Sequence, residues 1–380
     1  MAVLHVVQYA LPEISSGYTV RTAAIVAHQR ALGLDPLIVT SPRHPAAHEG
    51  DVEGVFHYRC QPERRARSVW LRDWSRCRVL ARRIREIASA RGDVRLIHAH
   101  SPVLCGLAAI QAGRRLGLPV VYEVRGLWEE AMRGRSLRYR LARRTEAAVC
   151  ARADAVVAIC RGLRDDLVKR GVAPAKLHIV PNGVDAARFT PAAELPGGPR
   201  VLYLGALRAY EGLELLLEAF SVVRRSAPQV QLLIVGQGEH RARIAEAARA
   251  VGEGATVAPP VPHSEVQALY AAAHAVVYPR LSTRATETVT PLKPLEAMAM
   301  AKAIVASDVG GLRELLCDGR TARLFAAGSA AALAGALAEV LGDAGLRRRL
   351  GEAAREAARE LDWARVVRRY LDVYEQAGAR

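Results

Sequence analysis

Aromatic side chains make up only 5% of the 380 residues, and no recognised nucleic-acid motif accompanies the basic charge, which argues against a nucleic-acid partner. No apolar run of about eighteen residues occurs, which argues against a membrane-spanning helix. The opening stretch "MAVLHVVQYA" lacks the basic lead of a secretory signal. Cys60, Cys77, Cys105, Cys150, Cys160 and Cys317 form no C-x-x-C pair and join no histidines at metal-ligand spacing. Reduced, mostly buried thiols in a cytoplasmic protein are the expectation, with no metal and no cofactor. A G-x-G-x-x-G fingerprint is also missing. Acidic residues are in deficit: 38 Asp and Glu against 54 Lys and Arg give a formal charge of +16. Much of the excess is arginine between Arg59 and Arg95 and again between Arg133 and Arg144. An anionic membrane surface or an anionic substrate would account for it, and so would the Ala-, Arg- and Gly-rich bias of a source genome.

What the chain does have is a regular alternation of short apolar runs with amphipathic segments. "VLHVVQY", "PLIVTS", "RLIHAHS", "PVVYEVRG", "AVVAIC" and "KLHIVPNGVD" read as strands, with helical segments such as "YTVRTAAIVAHQRALG" between them. The stretch between "PLIVTS" and "RLIHAHS" reads as basic and loop-rich. Around Pro191 to Arg200 the pattern breaks into a Pro/Gly-rich linker and then restarts. This predicts two doubly wound α/β domains, residues 1–185 and 186–355, with parallel sheets covered on both faces. Residues 356–380 are expected to form an amphipathic helix, with Trp363, Val366, Val367, Tyr370 and Leu371 at helical spacing, packing back on the first domain. Ligands of open α/β sheets sit beyond the carboxyl ends of the strands, so two such domains facing each other would make a cleft.

Candidate site residues cluster at those strand ends. In "TPLKPLEAMAMA" two prolines flank Lys293, which predicts a helix starting near Pro294. The unpaired N–H groups of that start, including those near Leu295, and the Lys293 charge suit a phosphate; Glu296 suits a sugar diol. Arg280, Arg284 and Glu287 lie in the same strand-loop-helix unit, and Gly205 and Arg208 follow another strand. In "LPEISSGYTVRT" Gly17 opens a helix to which a phosphate could come close. "HAHSP" sets His98 and His100 on one side of a strand end, and "YEVRGLWEE" adds Glu123, Arg125, Trp128 and Glu129 after the next. Core-edge histidines satisfied by backbone, and charges solvated on a surface, are the alternative readings.

These stretches, with "IVPNGVD", "YEGLELLLEAF", "LLIVGQG" and "AIVASDVGGLRELLCDG", fall in one order along the whole chain. In that order the chain resembles a family 4 glycosyltransferase of the GT-B fold, and "SGYTVRT", "HAHSPVL", "YEVRGLWEE" and "VTPLKPLEAMA" are similar to a subgroup found with exosortase and exopolysaccharide systems. The resemblance implies two Rossmann-like domains facing across a cleft. It implies retaining transfer of a sugar from a nucleotide diphosphate sugar, with a UDP-sugar as the guess, to a sugar or lipid-linked acceptor in polysaccharide or glycolipid assembly. Donor-side residues would be Gly17, Gly205, Arg280, Arg284, Glu287, Lys293, Pro294, Leu295 and Glu296. Acceptor-side residues would be His100, Glu123, Arg125 and Trp128, with His100, Lys293 and Arg208 carrying the chemistry. The location implied is the cytoplasm, with peripheral attachment to the inner face of the membrane. Departures from the family pattern stand at Ala206 and Glu211, where many relatives have Arg and Lys, and at Thr288, where many have Glu. A GT-B sugar-nucleotide epimerase and a noncatalytic nucleotide-sugar binding protein are the rival readings.

Overall fold

A parallel strand covered on both faces is apolar along its length, and Ala2–Val7 (β1) is buried at every position. The structure, a computed structural model, describes residues 1–46, 48–60, 69–132, 136–191 and 198–379. The chain forms two compact units, Met1–Asn182 with Trp363–Arg380, and Gly183–Asp362. Both are Rossmann-like.

In the first unit β1 is followed by Asp35–Thr40 (β2), Gly50–Val52 (β3), Val55–Tyr58 (β4), Val94–His100 (β5), Val120–Val124 (β6), Ala155–Ala158 (β7) and Leu177–Ile179 (β8). They form one sheet in the order β3-β4-β2-β1-β5-β6-β7-β8, parallel except for the β3–β4 hairpin. The stretch before β5, read from sequence as loop-rich, holds that hairpin and the helix Val69–Arg91. Its turn runs through Glu53 and Gly54 with φ of 53° and 81°. Two consecutive positive φ angles fit the right-handed twist of the flanking strands, so an Asp-Val-Glu-Gly-Val run with one glycine still makes a hairpin.

Arg200–Ala206 (β9), Gln231–Gln237 (β10), Ala255–Ala258 (β11), Ala275–Tyr278 (β12), Ala303–Ser307 (β13) and Arg323–Phe325 (β14) build the second sheet, in the order β11-β10-β9-β12-β13-β14. Alternation along β9 divides its side chains between two cores. Val201 and Tyr203 pack with Leu216, Phe220 and Leu337, while Leu202 and Leu204 pack with Leu295, Met298 and Ala354. Each fully buried Leu or Phe contributes about 2–3 kcal/mol.

The expected C-terminal helix divides in two. Ala344–Arg359 belongs to the second unit, and Trp363–Gln376 belongs to the first, where it packs on the helix Gly17–Ala31. Trp363, Val366, Val367, Tyr370, Val373 and Tyr374 form its buried stripe. Among the described residues no helix is long and apolar enough to cross a membrane. Arg64, Arg65 and Arg67, in the first basic cluster, lie outside the described residues.

Candidate active site

His98 and His100 share a face of β5 because side chains alternate along a strand. Parallel register sets His5 beside His98 and Glu123 beside His100. The resulting row of polar side chains is wholly buried. It is covered by Arg21 and Gln29 from the helix Gly17–Ala31 and by Tyr370 and Tyr374 from the helix Trp363–Gln376.

Donor and acceptor roles in this layer follow from one residue. Arginine only donates, so His100 Nδ1, 2.6 Å from Arg125 Nη2, carries no proton. The neutral ring therefore donates from Nε2 to His5 Nδ1 at 2.9 Å, and His5 donates from Nε2 to Gln29 Oε1 at 2.8 Å. Gln29 Nε2 donates to the Tyr374 hydroxyl at 2.7 Å, which donates in turn to His98 Nδ1 at 2.8 Å. The remaining proton of His98, on Nε2, faces Glu123 Oε2 at 3.5 Å. Glu123 also accepts from Arg125 Nε at 2.6 Å, from Arg21 Nε at 3.0 Å and from the Tyr370 hydroxyl. Arg21 uses its other N–H groups on Val180 O, Pro181 O, Asn182 Oδ1 and Tyr370, which pins the "VPN" run.

Burial, then the neighbouring cations and imidazoles, pushes His100 and His5 well below the ordinary histidine value, and burial lowers His98 as well. Burial alone would raise the Glu123 carboxyl; Arg21 and Arg125 overcome it and hold the group well below the carboxylate range. The unfolded chain takes up protons on these imidazoles below about pH 6.5, while the fold keeps them neutral. Stability is therefore retained above that pH and lost as pH falls through it. Urea midpoints at pH 7.5 and 5.5 measure this, and an unchanged midpoint would mean the rings are charged in the fold.

His5, His98 and His100 also bring nitrogens close enough to share a metal ion. Their facing nitrogens already have fixed hydrogen-bond roles, and Arg21 and Arg125 beside them oppose a further cation.

His100 ends β5 and Glu123 lies next to the end of β6, as the sequence indicates, but their side chains are buried in a covered layer and do not face a cleft. Both faces of a parallel sheet are covered, so period-two histidines point into the layer rather than out of it. Arg125 is nearly as enclosed, its side chain 5% exposed. Of the acceptor-side candidates Trp128 alone is open, at 41%. Its neighbour Glu129 turns inward to Arg170, which also holds Asp166 at 2.6 Å. Sequence reasoning missed Gln29 and Tyr374 as polar partners of the histidines, and Arg21 and Tyr370 as partners of Glu123. The one signal was polar Arg21 and Gln29 at helical spacing on the same face as Ile25. Gly17 is exposed at the first turn of its helix, behind a reciprocal cap in which the Ser16 hydroxyl accepts from Thr19 N at 3.3 Å.

In the second unit the segment after β12 brings together part of what the sequence singled out. The helix Lys293–Ala299 starts one residue before Pro294. Lys293 Nζ lies 2.9 and 3.1 Å from the two oxygens of Glu296, and the Tyr270 hydroxyl donates to the same carboxylate at 3.1 Å. Pro294 is buried and Leu295 is a core side chain, so only backbone there is available to a ligand. Glu287 accepts from Gly310 N at 2.7 Å and from Ser282 Oγ at 2.7 Å, tying two loops together. Arg284 opens the helix Arg284–Thr288. Gly205 is the last residue but one of β9, where its carbonyl approaches Gly236 so closely that a Cβ on Gly236 would meet it at 1.9 Å. Arg208 is exposed and makes no ion pair among the described residues.

Arg280 behaves otherwise than a phosphate ligand: Glu211 accepts from its Nη2 at 3.0 Å and its Nε at 3.2 Å, with both side chains largely buried. The acid at position 211 is thus matched by the base at 280. Glu211→Lys, which restores the family pattern and on sequence grounds preserves diphosphate binding, sets two cations together instead. It should cost about 3 kcal/mol, read as a lowered melting temperature against wild type. A Glu211→Lys protein as stable as wild type would mean that this pair is dispensable.

Comparison with known proteins agrees with this division of the chain. The family model for glycosyl transferases group 1 matches residues 189–357, and that for the glycosyl transferase 4-like domain matches residues 16–183. Alpha-maltose-1-phosphate synthase of Mycobacterium tuberculosis is 26% identical across 97% of both chains. D-inositol 3-phosphate glycosyltransferase of Salinispora tropica is 30% identical across 77% of this chain and 66% of its own. Sucrose-phosphate synthase of Thermosynechococcus elongatus superposes with a TM-score of 0.81 at 22% identity, over 99% of this chain and 98% of its own. HepE of Anabaena, solved with UDP and glucose, superposes with a TM-score of 0.78 at 15% identity, over 98% of this chain and 99% of its own.

Proposed function

The chain belongs to the GT-B glycosyltransferases, and from that premise we propose that it is a retaining hexosyltransferase moving a sugar from a nucleoside diphosphate sugar to an acceptor hydroxyl. The observation that carries the reading is the Lys293–Glu296 pair. It sets a cation suited to phosphate and a carboxylate suited to a ribose diol within 3.1 Å of each other in one helical turn. Charge grows on the leaving diphosphate in the transition state, and preorganised donors aimed at it are the largest source of rate. Lys293 and the exposed Arg208 supply that charge, and Glu296 holds the ribose. His100, Glu123 and Arg125 act as positioning residues, since the buried layer fixes them. No residue emerges as a carboxylate nucleophile, so the leaving phosphate takes the acceptor proton on the same face.

UDP-sugar is the favoured donor, in line with HepE, which has been solved with UDP-glucose. Polysaccharide or glycolipid assembly of the exopolysaccharide type, at the inner face of the cytoplasmic membrane, completes the proposal. The test is a thermal-shift screen of nucleoside diphosphate sugars, followed by nucleotide release with an acceptor panel and assignment of the product anomer. A ligand at a hundred times its Kd stabilises by about 2.7 kcal/mol, which a melting curve resolves. Conversion of the sugar nucleotide without nucleotide release would favour an epimerase, and binding without turnover a noncatalytic protein. No shift with any nucleoside diphosphate sugar would overturn the reading.

A further inference from the structure

Three side chains of the first unit, at the carboxyl edge of its sheet, are arranged around an interaction that none of them completes. Arg59 follows β4 and its side chain is 3% exposed. Its Nη1 donates to His57 Nδ1 at 3.3 Å, its Nη2 lies 3.6 Å from Glu13 Oε2, and its buried Nε has no hydrogen-bond partner among the described residues. Burial, then the Arg59 charge, pushes His57 down to about 4, so that ring is neutral and balances none of the charge. His44, in the turn after β2, accepts at Nδ1 from Ala46 N at 3.1 Å. Its proton is therefore on Nε2, 3.4 Å from Ala10 O and 3.5 Å from the same oxygen of Glu13. Glu13, in the turn after β1, is 31% exposed where the other two are enclosed.

Two buried donors thus converge on one carboxylate oxygen at distances too long for good hydrogen bonds. A guanidinium presents its N–H groups as a fork that a tetrahedral oxyanion fills better than a carboxylate held at 3.6 Å. We propose that Arg59 and His44 form an anion subsite for a phosphate monoester carried by the acceptor, and that Glu13 occupies the subsite until the acceptor displaces it. The proposal rests on the reading of the chain as a glycosyltransferase, places the acceptor on this unit, and names the acceptor's class. The subsite lies beyond the ends of β1, β2 and β4, where open α/β sheets bind ligands. Glu13 has the exposure to swing away, and its departure frees Arg59 Nη2 and His44 Nε2 to join the unpartnered Arg59 Nε around the phosphate oxygens.

The test is calorimetric titration of wild type, Arg59→Gln and Glu13→Gln with inorganic phosphate, glucose 6-phosphate and glucose, with UDP titrated separately into each protein. Wild type should bind the two phosphates and not glucose. Arg59→Gln should weaken both by about tenfold or more, whereas Glu13→Gln, by removing the competing carboxylate, should tighten both by about fivefold. UDP affinity should be the same in all three. Vesicles containing phosphatidic acid, compared with phosphatidylcholine alone, distinguish the sources. Arg59-dependent capture by the former assigns a lipid phosphate, and binding of glucose 6-phosphate alone assigns a soluble one. Equal phosphate affinity in the three proteins, or weaker binding by Glu13→Gln, would overturn the subsite. Failure of UDP to bind wild type would instead count against the donor reading.

Discussion

Replacing Glu123 by alanine should lower the melting temperature of the first unit by about 10 °C or more. Among the described residues Glu123 is the only carboxylate paired with Arg21 and Arg125, at 3.0 and 2.6 Å, and none of the three has more than a trace of exposed side chain. Removing one partner of a buried ion pair leaves an uncompensated charge and costs about 3–5 kcal/mol. For a domain of this size each kcal/mol moves the midpoint by about 2–4 °C. Replacement of Arg125 by methionine in the Glu123→Ala background should recover part of the loss, because it removes one of the two stranded cations. A side chain that served only to touch an acceptor would behave differently, with transfer abolished and melting unchanged. That pattern would refute the buried-layer account of Glu123.

Lys293→Ala should reduce turnover by about a hundred- to a thousandfold, the usual cost of removing a preorganised electrostatic contact to the reacting charge. Glu296→Gln should act mainly on nucleotide affinity, since the amide keeps the shape but loses acceptor strength toward a diol. Their mutual contact gives the pair a further signature. In the protein without ligand, Glu296 holds Lys293 at 2.9 Å and is itself held by Tyr270, so the donor has to share the carboxylate with the ammonium. Releasing Lys293 by Glu296→Gln should therefore leave turnover at saturating donor within about tenfold of wild type. Steady-state kinetics with initial rates over a donor series separate the two effects. Equal loss of turnover in both variants would show that the two side chains act as one unit rather than dividing the donor.

The strands were legible because parallel sheets leave a strong mark. Ala2–Val7 and Ala303–Ser307, the strands within "VLHVVQY" and "AIVASD", are buried at every position. The helix Trp363–Gln376 was legible in its apolar spacing. Its two tyrosine hydroxyls were not, because their partners lie in β5, in β6 and in the helix Gly17–Ala31, far away in sequence. The direction of His100 was misread for a related reason. Period two fixes which residues share a face, but which face is covered depends on the helices that pack there. Glu211 illustrates the same limit from the other side. Local comparison marks it as a lost cation, and only the fold shows it beside Arg280. The Glu13, His44 and Arg59 group left no trace in spacing at all, since it assembles from three turns of one sheet edge.

The return of residues 363–376 to the first unit sets an order of events during synthesis. Ribosomes deliver Met1–Asn182 first, but its polar layer lacks the Tyr370 and Tyr374 hydroxyls until the whole of Gly183–Asp362 has been made. The second unit is continuous in sequence and can fold as soon as it emerges, whereas the first, begun earlier, waits. During that interval Arg21, Glu123 and the three imidazoles lack the cover of the helix Trp363–Gln376, whose buried stripe includes Trp363 and Val367. The half translated first is thus the half completed last.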